Sequence, residues 1–158
     1  MSKIKYTKFF RYLLAFLHLF LGINGLIGGL LFMMRPDGSY LQMDSTWLKH
    51  SLFSNFFIPG LLLFTFIGLM SILTCYGVFT NKENNYFNVL NIYSDRNWAW
   101  TYSLYSGIIT IVWINIQMIL TSFFWLQPII IFIGLAIIVL TLVPGVMDYY
   151  QLLKTQNA

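Results

Sequence analysis

The stretch from Trp98 to Trp125 strongly limits what this chain can fold into. It reads WAWTYSLYSGIITIVWINIQMILTSFFW and contains no charged residue. As a helix, Trp100 to Trp125 extends about 37 Å, which covers the roughly 30 Å hydrocarbon core of a bilayer and reaches both interfaces. Tryptophan is enriched at those interfaces. The sequence therefore predicts a transmembrane helix here.

The polar residues of this stretch recur at steps of three or four, so they form one stripe along a helix. The stripe consists of Ser103, Ser106, Thr110, Trp113, Gln117 and Thr121. Because lipid cannot hydrogen-bond to these side chains, we expect them to face other helices or a cavity.

The composition places the whole chain in the membrane class. Of its 158 residues, 58% are hydrophobic and only 9% are charged, whereas a soluble domain carries about 25% charged residues. The single cysteine, Cys75, excludes an intrachain disulfide and a cysteine-based metal site. The net charge of +4 is not gathered into a basic cluster, so it indicates membrane orientation rather than a nucleic-acid partner.

Three further apolar segments complete the predicted fold, which is all-α: one domain, residues 1–158, forming a four-helix transmembrane bundle. The predicted spans are residues 12–34, 56–80, 99–123 and 126–147, with an outer loop at 35–55 and an inner loop at 81–97. Pro36-Asp37-Gly38 predicts a turn in the outer loop. A turn of a few residues makes the last two spans antiparallel neighbours. Pro144 should stop or kink the fourth span.

The Lys and Arg residues predict the orientation. Seven of the nine fall on the side of the amino terminus: Lys3, Lys5, Lys8, Arg11, Lys82, Arg96 and Lys154. Only Arg35 and Lys49 fall on the other side, which favours both termini inside. The polar segments are rich in Asn, Lys and Tyr, which we interpret as an AT-rich, bacterial coding bias. We therefore expect a multi-pass protein of the inner (cytoplasmic) membrane.

The first span carries a glycine face. His18, Gly22, Gly25 and Gly29 share this face, and Gly25 and Gly29 form a G-x-x-x-G pair. Small residues allow a second helix to approach closely, so this face predicts helix packing.

His18 is the one histidine inside a predicted span. One interpretation is a haem ligand, a quinone contact or a proton relay. A haem held between helices usually takes two axial ligands, and the spans offer one histidine. The other interpretation is a hydrogen-bonded packing residue.

Trp113 and Gln117 lie one helical turn apart in the third span. An indole N–H and an amide at this depth suit a lipid head group, a quinone carbonyl or a small polar ligand. Alternatively they form interhelical hydrogen bonds, for example from Gln117 to Asn24. We take His18, Asn24, Trp113 and Gln117 as candidate ligand-binding residues.

Catalytic, nucleotide and metal motifs are absent from the sequence. Asp44 and His50 of the outer loop lack an accompanying nucleophile. Exposed loop charges are usually hydrated surface groups without a catalytic role. No Asp, Glu, Lys or Arg lies well inside a span, which argues against an ion-coupled transporter. We expect no catalytic residue, no metal and no cofactor.

Several short motifs are similar to those of small four-span bacterial inner-membrane proteins. They are Gly28-Gly29-Leu30-Leu31-Phe32-Met33, Pro36-Asp37-Gly38, Trp47-Leu48, Ile58-Pro59-Gly60-Leu61, Trp113-Ile114 with Gln117, and Leu126-Gln127-Pro128. The topology also resembles that of DoxX-type four-helix membrane proteins. The resemblance implies the fold and leaves the activity open.

Three functional hypotheses follow. The first is a non-enzymatic protein that binds a lipid-like or small hydrophobic ligand, or a membrane partner, within the bundle. The second is an oligomeric pore or small transporter lined by Ser106, Thr110 and Gln117. The third is a redox or lipid-modifying enzyme subunit that uses His18 or the pair Asp44 and His50. Expected partners are membrane lipid and a homo-oligomeric or other membrane protein.

Overall fold

The computed structural model describes residues 2–43, 45–48, 51–121 and 123–152, with only the backbone of residues 2–5, 45 and 120. Within these ranges the regular elements are helices and there is no β-strand, which confirms the all-α prediction. Asp44, Lys49 and His50, considered above, lie outside the described residues.

The main helices follow one another as an up-and-down bundle. They are α1 (Ser2–Met34), α2 (Phe57–Leu62), a π-helical segment (Leu63–Leu69), α3 (Met70–Thr80), α4 (Trp98–Leu120), α5 (Leu126–Thr141) and α6 (Pro144–Tyr149). The three elements from Phe57 to Thr80 form one continuous rod, called the second rod below. The described residues of the first loop, which spans 35–56, lie at one end of the bundle, and the second loop, residues 81–97, lies at the other.

Among the described residues, three helical stretches are long and apolar enough to cross a membrane. They are Tyr6–Met34, Phe57–Thr80 and Trp98–Ile119, while α5 is apolar but has only 16 residues. The outward side chains are apolar as well: Phe9, Ile119 and Phe132 are 60%, 77% and 69% exposed. So much exposed apolar surface suits contact with lipid. The protein thus has the helices of a membrane protein.

The fourth predicted span, residues 126–147, is two helices in the structure. α5 ends at Thr141, and Pro144 occupies the first turn of α6. Proline has no N–H to donate and its ring clashes with the preceding turn, so it starts a helix but interrupts one already formed. The helix break predicted at Pro144 is therefore present, because α5 ends before this residue and α6 begins at it.

Local chemistry sets other boundaries. The Asn97 side chain accepts a 2.9 Å hydrogen bond from the N–H of Ala99 and so caps α4. At the end of α3, Asn81 adopts a left-handed conformation with φ 52° and donates to the carbonyl of Gly77. Gly38 supplies the positive φ of 81° that the predicted turn in the first loop needs.

Glycines bring the helices together as two close pairs. A Cβ on Gly25 would lie 2.7 Å from the backbone N of Gly68, so α1 packs directly on the second rod. In the same way a Cβ on Gly107 would lie 3.0 Å from the carbonyl O of Gly134, where α4 packs on α5. We call α1 with the second rod the first helix pair, and α4 with α5 the second helix pair.

Buried hydroxyls join the two pairs in the half of the bundle near the second loop. Ser71 of α3 and Ser106 of α4 lie 3.0 Å apart, and both are buried. Closer to the second loop, Tyr150, the residue that follows α6, donates a 2.6 Å hydrogen bond to the carbonyl of Val78. Arg11 of α1 donates to the Tyr150 hydroxyl at 3.2 Å. The two pairs are therefore fixed to each other at this end.

Candidate ligand-binding cavity

A cavity of about 440 Å³ lies between the two helix pairs, beneath the first loop. Its walls come from α1, the π-helical segment, α4 and α5, as shown by Leu21, Leu63, Ile114 and Ile130. The hydrogen bonds between the pairs lie toward the second loop, so the space nearer the first loop is left open. The volume falls within the range of about 300–1,000 Å³ that is usual for small-molecule sites.

The described residues of the first loop form a roof over this cavity. Leu48 and Phe56 of the loop are buried, and the Phe56 ring stacks on Phe32 of α1 with centroids 4.8 Å apart. Trp47 contacts Phe124 edge-on at 6.1 Å, which links the loop to the turn between α4 and α5. These aromatic contacts hold the roof against both helix pairs.

The wall of the cavity includes Trp113, whose indole carries a polar N–H group. Its Nε1 is buried and finds no hydrogen-bond partner among the described residues. An indole N–H can only donate, so this group requires an acceptor. Leaving a buried donor unpaired costs about 1–3 kcal/mol. The Trp113 ring also lines a shallow groove of about 310 Å³ on the far side, between Phe66 and Ile109.

Amide side chains supply most of the remaining polarity. Asn24 and Gln117, both predicted from the sequence, line the cavity. Asn24 donates from Nδ2 to the carbonyl of Phe20, one turn earlier in its own helix, rather than bonding to Gln117. The structure therefore brings Asn24, Trp113 and Gln117 together around one space.

Gln127 also lines the cavity, and the sequence analysis did not select it as a ligand-binding residue. It is buried, and its Oε1 accepts a 3.0 Å hydrogen bond from the N–H of Phe124. The available signal was a glutamine in the first turn of an otherwise apolar helix, next to Pro128. Helical spacing alone does not reveal that this turn faces the same space as Gln117.

His18 lies outside the cavity, in a separate buried network. Its Nε2 is 2.8 Å from Ser103 Oγ, which is 2.7 Å from Thr141 Oγ1. The Thr141 hydroxyl donates to the carbonyl of Ile137, so Ser103 donates to Thr141 and Nε2–H of His18 donates to Ser103. Nδ1 is then an acceptor, and it has no partner among the described residues. His18 thus packs three helices together.

The charged residues of the first loop make local contacts. Asp37 accepts hydrogen bonds from the N–H and the hydroxyl of Ser39 at 3.1 and 2.8 Å, and these bonds hold its pKa below the ordinary value. The Arg35 guanidinium lies over the ring of Tyr40. In the described part of the chain, no three His, Cys, Asp or Glu side chains come close enough to hold a metal ion.

Comparisons with models of protein families, with curated proteins and with solved structures found no match to this chain. The geometry of the cavity is therefore the basis for a functional proposal.

Proposed function

We propose that this chain is an integral membrane protein that crosses a bacterial cytoplasmic membrane four times, with both ends on the cytoplasmic side. We propose further that it binds a lipid-like or small hydrophobic ligand in the cavity beneath the first loop. One observation carries the proposal: a ligand-sized cavity is lined by Trp113, whose buried indole N–H has no partner among the described residues.

Helix lengths and charge support the proposed topology. Three helices have the length and apolarity of membrane spans, and α5 extends about 24 Å at 1.5 Å per residue. A span of this length is accommodated by local thinning of the bilayer. Seven of the nine basic residues then lie on the cytoplasmic side. The likeness to small four-span inner-membrane proteins agrees with this arrangement.

A ligand is a better occupant of this cavity than water. An ordered water needs two to four polar partners. Around Trp113 the walls are mainly Leu, Ile and Phe side chains such as Leu63, Ile67 and Ile133. We propose that an apolar molecule with one acceptor oxygen fills this space, and that a shift of the Trp113 ring brings its indole N–H, which is closed off in this structure, to that oxygen. Gln117, one turn away, offers a second hydrogen bond to the same polar group.

The buried network does not resemble an active site. The Ser103 hydroxyl is fully buried and is held between His18 and Thr141, so no substrate reaches it. A catalytic hydroxyl must be open to the group it attacks. A binding role at the cavity therefore agrees better with these contacts than catalysis at His18.

Native mass spectrometry of the protein released from nanodiscs tests the proposal. We expect wild-type protein to retain a defined extra mass, and the Trp113→Phe and Gln117→Leu variants to retain it about tenfold less. Tenfold corresponds to about 1.4 kcal/mol, close to the value of one hydrogen bond.

Two matched variants serve as controls. Trp125→Phe changes a tryptophan that is 63% exposed and does not line the cavity. Asn115→Leu changes an exposed amide on the same helix as Gln117. The Asn115 side chain donates to the carbonyl of Ile111 in its own helix. Both should retain the ligand as wild type does. Equal retention in all five proteins, or no retained mass in any of them, would refute the proposed function.

A further inference from the structure

The cavity has an opening on its side between α1 and α5. A residue that lines a cavity and is also exposed on the outer surface marks the place where the cavity opens. On α1, Phe20 and Ile27 line the cavity and are 46% and 56% exposed. On α5, Leu126 and Ile129 do the same, with exposures of 36% and 43%. The edges of the opening therefore come from one helix of each pair.

The depth of this opening places it beside lipid tails. Asn24, which is exposed and lines the cavity between Phe20 and Ile27, lies ten residues before the end of α1 at Met34. Ten residues of helix correspond to about 15 Å, or half of a hydrocarbon core of about 30 Å. The α1 edge of the opening therefore lies at the depth of the lipid tails, while Leu126 and Ile129 on the α5 edge lie in the first turn of α5, nearer the interface.

On the other sides of the cavity the described wall is more closed: α4 contributes one apolar lining residue that is also exposed, Ile116 at 41%, against two on each of α1 and α5. The described roof residues are held by the contacts of Phe56 with Phe32 and of Trp47 with Phe124. On the side opposite the opening, the ring of Trp113 stands between the cavity and the shallow groove. The gap between α1 and α5 is accordingly the easiest route for a molecule of ligand size.

We infer that the ligand reaches the cavity sideways from the bilayer, through the opening between α1 and α5. Its chemical class follows: a bilayer-dissolved amphiphile with an apolar body and an acceptor oxygen, rather than a solute taken from water. This inference rests on the proposed function of the cavity. Inside the opening, Asn24 and Gln117 offer amides to the polar end of the molecule, and the Trp113 side chain forms part of the wall.

Photolabelling with a membrane probe tests the route. The probe is a long-chain fatty alcohol with a diazirine in its chain, supplied in phosphatidylcholine vesicles to protein in the same lipid. After short incubation and illumination, labelled residues are mapped by peptide mass spectrometry. We expect adducts on the cavity walls at Ile114 and Ile130, and independent adducts on the groove at Phe66 and Ile109.

A double variant, Ile27→Phe with Ile129→Phe, narrows the opening. We expect it to lower early labelling of Ile114 and Ile130 several-fold while groove labelling stays unchanged. The control, Ile23→Phe with Leu135→Phe, changes exposed residues of the same two helices that do not line the cavity. This control should label as wild type does. Loss of groove adducts would identify a misfolded protein, in which case Ile129→Phe alone provides the test.

The outcomes separate the two proposals. Unchanged cavity labelling in the narrowed variant overturns the lateral route, while the binding function still stands if Trp113→Phe loses the retained ligand. Absence of cavity labelling in every protein, together with ligand retention that Trp113→Phe leaves unchanged, overturns both. Slower cavity labelling confined to the narrowed variant supports both.

Discussion

The Nε2 atom of His18 lies 2.8 Å from the Oγ atom of Ser103, and this contact joins the two helix pairs one turn beyond Leu21, where the cavity begins. Both side chains are fully buried. The hydrogen-bonded network thus closes the inner end of the cavity and fixes how far apart the pairs stand. Hydrogen bonds in the half of the bundle near the second loop therefore determine the width of the cavity in the half near the first loop.

Replacing Ser103 by alanine should therefore destabilise the protein. The change leaves the Nε2–H of His18 without an acceptor and removes the donor to Thr141. Interhelical hydrogen bonds in membranes average about 0.6 kcal/mol and reach about 1.7, so we expect a loss within that range. Thermal unfolding in one detergent measures it. The exposed Ser94→Ala is the control, and equal melting temperatures for the two variants would show that the network is not stabilising.

Adding a methyl group to the glycine face tests how the first pair packs. At Gly25 the new Cβ meets backbone atoms of Gly68 at 2.7 and 2.9 Å, and backbone atoms cannot move aside readily. We expect Gly25→Ala to cost about 1–3 kcal/mol. At Gly28 the nearest atom is Cδ2 of Leu63, a flexible side chain, at 3.3 Å, so Gly28→Ala should be nearly neutral. A larger loss at Gly28 than at Gly25 in thermal unfolding would contradict the packing described.

The topology predicts which loops a reagent reaches. Ser54 of the first loop and Ser94 of the second loop are both exposed, so each accepts a cysteine without disturbing packing. In intact spheroplasts, a membrane-impermeant maleimide should label Ser54→Cys and leave Ser94→Cys unlabelled until the membrane is broken. The native Cys75 is replaced by alanine in both proteins. The opposite labelling pattern would reverse the proposed orientation.

High pH should weaken the contact of Tyr150 with the first pair. Its hydroxyl donates to Val78 and accepts from Arg11, and burial raises its pKa against the opposing effect of the Arg11 guanidinium. A raised pKa means that the contribution to stability is complete below the unfolded-state value of about 10 and is lost as pH rises through the folded-state value.

The measurement compares wild type with Tyr150→Phe across this range. The difference between their unfolding free energies should be constant below about pH 10 and should shrink above it. The other tyrosines titrate in both proteins and cancel from the difference. A gap that stays constant into the alkaline range would show that the Tyr150 hydroxyl is not coupled to folding.

Much of this architecture follows from the sequence. Apolar length predicts helices such as α1 and α4, because a backbone in lipid must satisfy its hydrogen bonds within each helix. The stripe of Ser103, Ser106 and Thr110 predicts a buried face, and all three side chains are buried. Proline chemistry places the stop at Pro144. These features depend on residues close together in the chain.

The candidate site could be predicted only in part. Asn24, Trp113 and Gln117 line one cavity, while His18, on the same helix as Asn24, belongs to a different network. From sequence both residues are polar groups in one span. Whether each meets a hydroxyl of α4 or an open space depends on the distance between the helix pairs, which local spacing does not encode.

The sequence by itself determined the class of this protein and the faces of its helices, because both depend on hydrophobicity and on a period of 3.6 residues. Only the tertiary structure decided that glycines close α1 on the second rod and α4 on α5, and that buried hydroxyls join the two pairs at one end. The cavity is the space left between two such pairs. No single segment specifies its volume, its opening or the burial of the Trp113 indole N–H, which has no partner among the described residues, because each depends on the relative positions of four separate helices.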